Sequence, residues 1–164
     1  MQKAVFLDRD GVINRELGQY VTRFDEFHLL PHALPGIRQL MDNDYMVVVI
    51  TNQGGIAKGL YTREDLNAMH TYLQNTCMEY CGRPLVLYVC PHHPDFGKCL
   101  CRKPDSLLIE KALARYDIDA SQSYFIGDRD RDIQAAEKAG VKGLLIESNQ
   151  DWSQLVQGIL SCTV

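Results

Sequence analysis

Length, composition and charge already exclude several kinds of protein. The chain has 164 residues, 46% hydrophobic and 23% charged, which is a globular composition rather than a disordered one. Its net charge of −4 gives no general attraction to nucleic acids or anionic membranes, and its longest apolar run, residues 46–50, is too short to span a bilayer. We therefore expect a single domain, residues 1–164, with a small-molecule partner, no nucleic acid and no membrane.

The N-terminal sequence and the cysteines indicate the cellular compartment of the protein. An acidic cluster begins at Asp8, which leaves no room for the apolar region of a signal peptide. Of the six cysteines, Cys77 and Cys81 are four residues apart on a predicted helix, and we interpret both as buried or half-buried thiols. Cys162 carries no usable signal. We expect a monomeric protein of the cytoplasm.

Strand and helix patterns alternate along the chain. Pro35 suits the first turn of a helix, Thr62 suits an N-cap, and Gly140 suits a helix end. In chain order the predicted elements are a strand at 3–7, a helix at 33–44, a strand at 45–50, a helix at 62–80, a strand at 85–89, a helix at 106–116, a strand at 124–126, a helix at 132–139, a strand at 143–146 and a helix at 151–160. This alternation predicts an α/β fold, a Rossmann-like parallel sheet with helices on both faces.

Polar residues follow four of these strands. In parallel sheets the carboxyl ends of the strands share one edge, where ligands bind. The residues that this topology brings to that edge are Asp8, Asp10, Thr51, Asn52, Cys90 and Asp128. Several carboxylates gathered at one edge repel each other, so we expect a cation among them, and oxygen ligands suit Mg²⁺.

A second metal signal lies between the third strand and the third helix. Cys90 and His92 form a C-x-H pair, and Cys99 and Cys101 form a C-x-C pair shortly after it. Three thiolates and one imidazole are the ligand set of a closed structural Zn²⁺ site. Since this loop leads directly into residues 102–104, we expect the zinc to fix a segment that otherwise lacks regular structure.

The order of the motifs resembles the haloacid dehalogenase-like phosphatases. These proteins carry four short motifs in order along the chain, and the match covers nearly all of this sequence. The matching segments are Asp8-Arg9-Asp10-Gly11, Thr51-Asn52, Lys103, and Gly127-Asp128 with Asp132. The resemblance implies a Mg²⁺-dependent phosphatase with an aspartyl-phosphate intermediate.

The resemblance also implies a role for each residue. Asp8 would be the nucleophile, and Asp10 would be the general acid and base. Thr51 and the backbone after it would donate hydrogen bonds to the phosphoryl oxygens, and Lys103 would neutralise phosphate and steady Asp8. Asn52, Arg102 and Lys103 would bind the substrate. Mg²⁺ would be held by the residues Asp8, Asp10 (through its backbone carbonyl) and Asp128. Asp132 and Arg129 would support the site.

The zinc loop narrows the resemblance to one subgroup. This subgroup contains the D-glycero-D-manno-heptose 1,7-bisphosphate 7-phosphatases and the histidinol-phosphate phosphatases. The segments 6–14 and 51–59 resemble the heptose enzymes, whereas Gly127-Asp128-Arg129 and the short gap from His92 to Cys99 resemble the histidinol-phosphate side. We favour the heptose substrate, for which Arg102 would bind the second phosphate or a sugar hydroxyl. A polynucleotide end phosphatase is the alternative from another substrate class, although no basic stripe supports it.

The lengths of the segments between the motifs indicate how the site is covered. Many members of the superfamily insert a cap domain over the substrate. Between residues 14 and 45, and between residues 53 and 102, this chain has room for loops, a helix, a strand and the zinc loop. We therefore expect an open core without a large cap domain.

Overall fold

The computed structural model describes residues 1–162. Five strands and five helices alternate, as the sequence predicts: β1 (Ala4–Leu7), α1 (Ala33–Asp42), β2 (Met46–Asn52), α2 (Arg63–Cys81), β3 (Val86–Cys90), α3 (Leu107–Tyr116), β4 (Tyr124–Gly127), α4 (Asp130–Lys138), β5 (Lys142–Leu145) and α5 (Ser153–Leu160). The expected domain of residues 1–164 extends two residues beyond the described part. No helix within that part is long and apolar enough to cross a membrane.

The strands form one parallel sheet in the order β3-β2-β1-β4-β5. The chain runs outward from β1 through β2 to β3, and then crosses to the other side of β1 for β4 and β5. The order therefore reverses between β1 and β4, and in open α/β sheets a ligand crevice lies at such a reversal, at the carboxyl ends of the strands. This confirms the predicted fold class.

Both faces of the sheet are covered because successive side chains of a strand point to opposite faces. Val5 and Leu7 belong to the core cluster that includes α1, α2 and α5, whereas Ala4 and Phe6 belong to the cluster that includes α3 and α4. All four side chains are fully buried. This two-sided burial explains why the central strands β1 and β2 are continuous apolar runs without alternation.

Some element boundaries differ from those predicted. The strand expected at 45–50 continues to Asn52, because Thr51 and Asn52 still pair with β3. The helix expected at 132–139 begins at Asp130, because the Asp132 carboxylate accepts a hydrogen bond from the Arg129 N–H at 3.0 Å and so caps that end. Three short 3-10 helices, Phe24–Glu26, Pro94–Phe96 and Ala120–Gln122, are not predicted by any periodicity.

The carboxyl edge of the sheet carries loops but no inserted domain within residues 1–162. Only a 3-10 turn, Phe24–Glu26, interrupts the loop between β1 and α1, and ten residues join β2 to α2. The predicted thiols also agree with the structure, since Cys77 is buried and Cys81 is half-buried.

Candidate active site

The centre of the carboxyl edge is a buried ion-pair cluster. The Lys103 ammonium lies 2.7 Å from Asp8 Oδ1 and 2.8 Å from Asp132 Oδ1, and it donates to the Ile50 carbonyl at 2.8 Å. Lys103 is 2% exposed, so its charge is offset by the two carboxylates and not by water. The lysine therefore fixes one oxygen of Asp8.

Reciprocal hydrogen bonds hold this lysine in place. The Asn52 side chain accepts from the Lys103 backbone N–H and donates to the Lys103 carbonyl, both at 3.1 Å. Asn52 is the last residue of β2, whereas Lys103 lies in the loop that follows the Cys/His segment. The sheet thereby anchors a loop of irregular structure close to Asp8.

Asp128 approaches from the other side of the strand-order reversal. Its Oδ2 accepts a hydrogen bond from the Ser148 hydroxyl, and its buried Oδ1 has no hydrogen-bond partner among the described residues. A Cβ at Gly11 would lie 2.3 Å from Asp128 Oδ2, and Gly11 has φ +85°, so only glycine fits there. The two loops meet at this glycine.

Carboxylate ligand atoms of Asp8, Asp128 and Asp132 lie within 4.8 Å of one another. Burial raises the pKa of Asp8, the neighbouring charges of Asp132 and Asp10 raise it further, and Lys103 opposes them. A bound cation would favour the ionised Asp8. Together with the unpartnered Asp128 oxygen, this donor set fits Mg²⁺.

Asp10 is held by a different set of donors. Its Oδ1 accepts from Arg9 Nη2 at 2.8 Å and from Asn14 Nδ2 at 2.9 Å, and its Oδ2 accepts from Gln53 Nε2 at 2.9 Å. Burial acts to raise the pKa of Asp10, but the Arg9 guanidinium and the hydrogen bonds from Asn14 and Gln53 outweigh it and lower the pKa. Asp8 and Asp10 thus lie in contrasting environments two residues apart.

These groups open onto a cavity of about 330 Å³. Its lining includes Asp8, Asp10 and Asp128 on the floor and Asn52 on the β2 side. Thr51 is buried beneath and does not line it. Three arginines also line the cavity, Arg102, Arg129 and Arg131, together with Glu16 and residues 18–21 of the loop after β1.

The arginines differ in how they are held. Arg102 Nη1 donates to the His92 carbonyl at 3.0 Å, which ties the guanidinium to the Cys/His loop. Arg129 is half exposed, and its Nε lies 3.7 Å from Asp128 Oδ2. The wall therefore faces the acidic floor with positive charge, a combination that suits an anionic ligand next to a cation.

The Cys/His segment forms a compact cluster at the end of β3. The potential ligand atoms of Cys90, His92, Cys99 and Cys101 lie within 4.8 Å of one another. Cys90 Sγ is 3.7 Å from Cys99 Sγ and 3.1 Å from Cys101 Sγ, far longer than a disulfide bond of about 2.05 Å. Zn–S bonds of about 2.3 Å in a tetrahedron place sulfurs roughly 3.7 Å apart. The cluster therefore fits Zn²⁺.

Several residues at the site are missed by reading the sequence. Ser148 contacts Asp128, and Gln53 contacts both Asp10 and Thr51. Ser148 follows β5 closely, and Gln53 is adjacent to the Thr51-Asn52 motif, so position relative to a strand end was the available signal. Arg9 lies within its motif, but nothing in the sequence shows that its side chain turns back to Asp10.

Comparisons with known proteins agree with this geometry. Residues 100–157 match the HAD-hydrolase-like family model. Over 156 residues the chain is 38% identical to the D-glycero-beta-D-manno-heptose-1,7-bisphosphate 7-phosphatase of Bordetella bronchiseptica, covering 95% of this chain and 87% of the relative. It is 39% identical over 147 residues to the enzyme of the same name from Haemophilus ducreyi, covering 86% and 80%.

A solved structure gives the same result. The D,D-heptose 1,7-bisphosphate phosphatase of B. bronchiseptica, complexed with magnesium and phosphate, superimposes with a TM-score of 0.84 over 95% of this chain and 87% of that one, at 38% identity. Fold and site together define a haloacid dehalogenase-like hydrolase. Within that class, the chain belongs to the family of the D-glycero-D-manno-heptose-1,7-bisphosphate 7-phosphatases.

Proposed function

We propose that the protein is a Mg²⁺-dependent phosphatase that works through a phosphorylated Asp8. The observation that carries this proposal is the pairing of one oxygen of a buried Asp8 with Lys103, beside a second carboxylate, Asp10, that lines the same cavity. Lys103 holds Asp8 Oδ1, and the other oxygen attacks phosphorus. The attack forms an Asp8–phosphorus bond and breaks the bond from phosphorus to the leaving oxygen.

Asp10 lines the cavity beside Asp8, and in this proposal it moves the proton in both halves of the reaction. In its protonated form it gives a proton to the leaving oxygen, and as the carboxylate it then takes one from the water that hydrolyses phosphorylated Asp8. Asp10 Oδ2 accepts one hydrogen bond, whereas Oδ1 accepts three, so Oδ2 is the oxygen that is open for this transfer. The backbone that follows Thr51 donates to the phosphoryl oxygens, and the Thr51 side chain supports this segment from beneath the cavity.

The two metals have separate tasks in this proposal. The carboxylates of Asp8 and Asp128, which lie close together, and the backbone carbonyl of Asp10 would hold Mg²⁺, while Asp132 supports Lys103. When bound, Mg²⁺ offsets the negative charge that builds up on the phosphoryl group. Zn²⁺ is held by the Cys/His cluster and stabilises the loop that carries Arg102 and Lys103.

The proposed substrate is a D-glycero-D-manno-heptose 1,7-bisphosphate, with loss of the phosphate at position 7. The family relationship supports this choice, and so does the cavity, which has the size of a small metabolite. Arg102, Arg129 and Arg131 on its wall supply positive charge for a second phosphate that does not react. We further propose that the chain acts as a single monomeric domain of the cytoplasm, open to the substrate without a cap.

Phosphate release across a panel of substrates tests this function. The panel contains both anomers of heptose 1,7-bisphosphate, histidinol phosphate, fructose 1,6-bisphosphate and a 3′-phosphorylated oligonucleotide, each with Mg²⁺ and with chelator. We expect kcat/KM to be highest for one heptose anomer, to require Mg²⁺, and to leave the phosphate at position 1 in place. A tenfold preference for histidinol phosphate would overturn the substrate assignment, and release without any divalent cation would overturn the metal assignment.

A further inference from the structure

Two buried side chains outside the cavity lie at the ends of hydrogen-bonded chains that lead to Asp10. Tyr61 is 5% exposed and His70 is 8% exposed, and neither lines the cavity. Tyr61 precedes α2, and His70 lies within it. Each contacts a residue that in turn donates to Asp10, so α2 and the loop before it connect to the site through two separate paths.

The path from Tyr61 has a fixed hydrogen-bond direction. An ionised carboxylate only accepts, so the Gln53 amide group must direct Nε2 at Asp10, where it lies 2.9 Å from Oδ2. Gln53 Oε1 then faces Tyr61, whose hydroxyl donates to it at 2.5 Å. Burial raises the pKa of Tyr61, which keeps this donor protonated. Without the hydroxyl, the Gln53 carboxamide loses the contact that sets its orientation.

The same amide group also reaches the phosphate-binding side. Gln53 Nε2 donates to Thr51 Oγ1 at 2.8 Å. Since the Thr51 hydroxyl accepts this hydrogen bond, Gln53 Nε2 is held by acceptors on two strand ends, Asp10 after β1 and Thr51 in β2. A flipped carboxamide would instead present an oxygen to both Asp10 and Thr51.

The path from His70 is fixed by Arg9. A guanidinium has donors only, so His70 Nε2, 3.1 Å from Arg9 Nη1, must be the acceptor. His70 is therefore neutral, with its proton on Nδ1. Arg9 is fully buried and also stacks over the Phe27 ring at 5.2 Å, so its guanidinium can present Nη2 and Nε to Asp10 Oδ1 in only one orientation.

We infer that Tyr61 and His70 are positioning residues, which orient the Asp10 carboxylate through Gln53 and Arg9 and so set proton transfer to the leaving group. Arg9 holds Oδ1 together with Asn14, and Gln53 holds Oδ2, so both oxygens of the Asp10 carboxylate are fixed by donors at the edge of the cavity. This inference rests on the proposed function, because it assigns a role to residues that act through the proposed general acid.

Tyr61→Phe tests the first path, with two substrates that differ in their leaving group. An alkyl phosphate of a sugar needs a proton on the leaving oxygen, whereas p-nitrophenyl phosphate has a stable leaving anion and does not. We expect kcat/KM for the sugar phosphate to fall about tenfold and that for p-nitrophenyl phosphate less than about threefold. Tyr45→Phe is the matched control, because Tyr45 is also buried but lies at the opposite end of β2.

His70 provides the second test. His70→Leu removes the acceptor for Arg9 and should lower kcat/KM for the sugar phosphate selectively, whereas His70→Gln supplies an oxygen acceptor and should restore most of it. Nitrogen NMR of His70 in the unmodified protein should show an unprotonated Nε2. Melting temperatures of all variants show whether each remains folded, and a loss of folded protein would lower both activities equally.

The outcomes separate the two proposals. Absence of phosphate release by the unmodified protein from every phosphate ester, with Mg²⁺ present, overturns the proposed function and this inference with it. The positioning role alone is overturned if the unmodified protein releases phosphate normally and Tyr61→Phe and His70→Leu lose no activity. It is also overturned if these variants lose kcat/KM equally on both substrates. A protonated His70 Nε2 overturns the path through Arg9.

Discussion

Gly11 shows how a residue without a side chain shapes the metal site. It has φ +85°, and a Cβ there would lie 2.3 Å from Asp128 Oδ2. Gly59 has a comparable φ of +69°, but a Cβ there would meet nothing within 4 Å. Both glycines have a positive φ, which disfavours alanine, but only Gly11 lies against Asp128. Comparing alanine variants of the two therefore separates the effect of backbone strain from the effect of displacing the Asp128 carboxylate.

We predict that Gly11→Ala weakens Mg²⁺ binding about tenfold or more, because the new methyl group displaces a carboxylate of the site. Gly59→Ala should leave Mg²⁺ affinity unchanged. Both variants should lose about 1 kcal/mol or more of unfolding free energy, since alanine disfavours positive φ. Titration calorimetry and urea unfolding measure the two effects. Equal Mg²⁺ affinities in the two variants would contradict the contact with Asp128.

His70 also makes the stability depend on pH. Burial, and next the charge of Arg9, lower the pKa of His70 to about 3, against an ordinary value of 6.5, while Asp10 opposes them. A histidine whose pKa is lowered by folding binds protons more readily in the unfolded chain. Its contribution is therefore fully present above pH 6.5 and is lost as the pH falls from 6.5 towards 3.

We predict that His70→Gln makes the unfolding free energy less sensitive to acid. Between pH 7.5 and pH 5.5 the unmodified protein should lose about 1 kcal/mol more than the variant, because only its unfolded state gains a proton on residue 70. Urea unfolding at the two pH values measures the difference. A variant whose loss on acidification equals that of the unmodified protein would show that His70 titrates normally in the fold.

At the scale of elements, the loop from β3 to α3 depends most on a metal. It contains one 3-10 turn, Pro94–Phe96, and yet it positions Arg102 at the cavity and Lys103 against Asp8. The cluster of Cys90, His92, Cys99 and Cys101 is the cross-link that the geometry provides for it. Loss of the metal should therefore disorder the loop and lower the activity together.

We predict that Cys99→Ser releases zinc, lowers Tm by about 5 °C or more, and lowers kcat, because the loop loses its cross-link. Cys162→Ser is the control, since Cys162 is exposed and lies outside the cluster. Elemental analysis for zinc, thermal unfolding and phosphate release measure the three effects. A Cys99→Ser protein that contains no zinc and keeps its Tm and activity would contradict the structural role.

The sequence predicts elements better than it predicts contacts between side chains. Type and order of all five strands and five helices follow from apolar periodicity, because each element buries one or both faces in a way that its own residues encode. Boundaries shift by a few residues where a tertiary contact decides them. Asn52 is one case, since its place in β2 depends on pairing with Cys90.

At the scale of the whole molecule, the site depends on long-range contacts that no local pattern reveals. Carboxylates reach the edge of the sheet predictably, because the ends of parallel strands coincide there. The contacts of Ser148 with Asp128 and of Tyr61 with Gln53 could not be predicted, because side-chain rotamers and the paths of the loops determine them. The short motifs that resemble a family identified the acidic centre, whereas the residues that orient it required the structure.

Metal binding should also stabilise the fold as a whole. The carboxylates of Asp8 and Asp128 lie in the loops that follow the adjacent strands β1 and β4, so a cation between them cross-links the two loops. We predict that Mg²⁺ at a hundred times its Kd raises the unfolding free energy by about 2.7 kcal/mol. Asp128→Asn should abolish this increase. An identical increase in the variant would place the Mg²⁺ elsewhere, and urea unfolding with and without Mg²⁺ decides between the two.

Chemical trapping of the intermediate tests the central claim most directly. Borohydride reduces an aspartyl phosphate to homoserine, so quenching during turnover marks the residue that carried the phosphoryl group. We predict homoserine at position 8, found by peptide mass spectrometry only when both the sugar bisphosphate and Mg²⁺ are present, and absent from Asp8→Asn. Homoserine at position 10, or steady phosphate release by a chain in which Asp8 is never modified, would contradict the account.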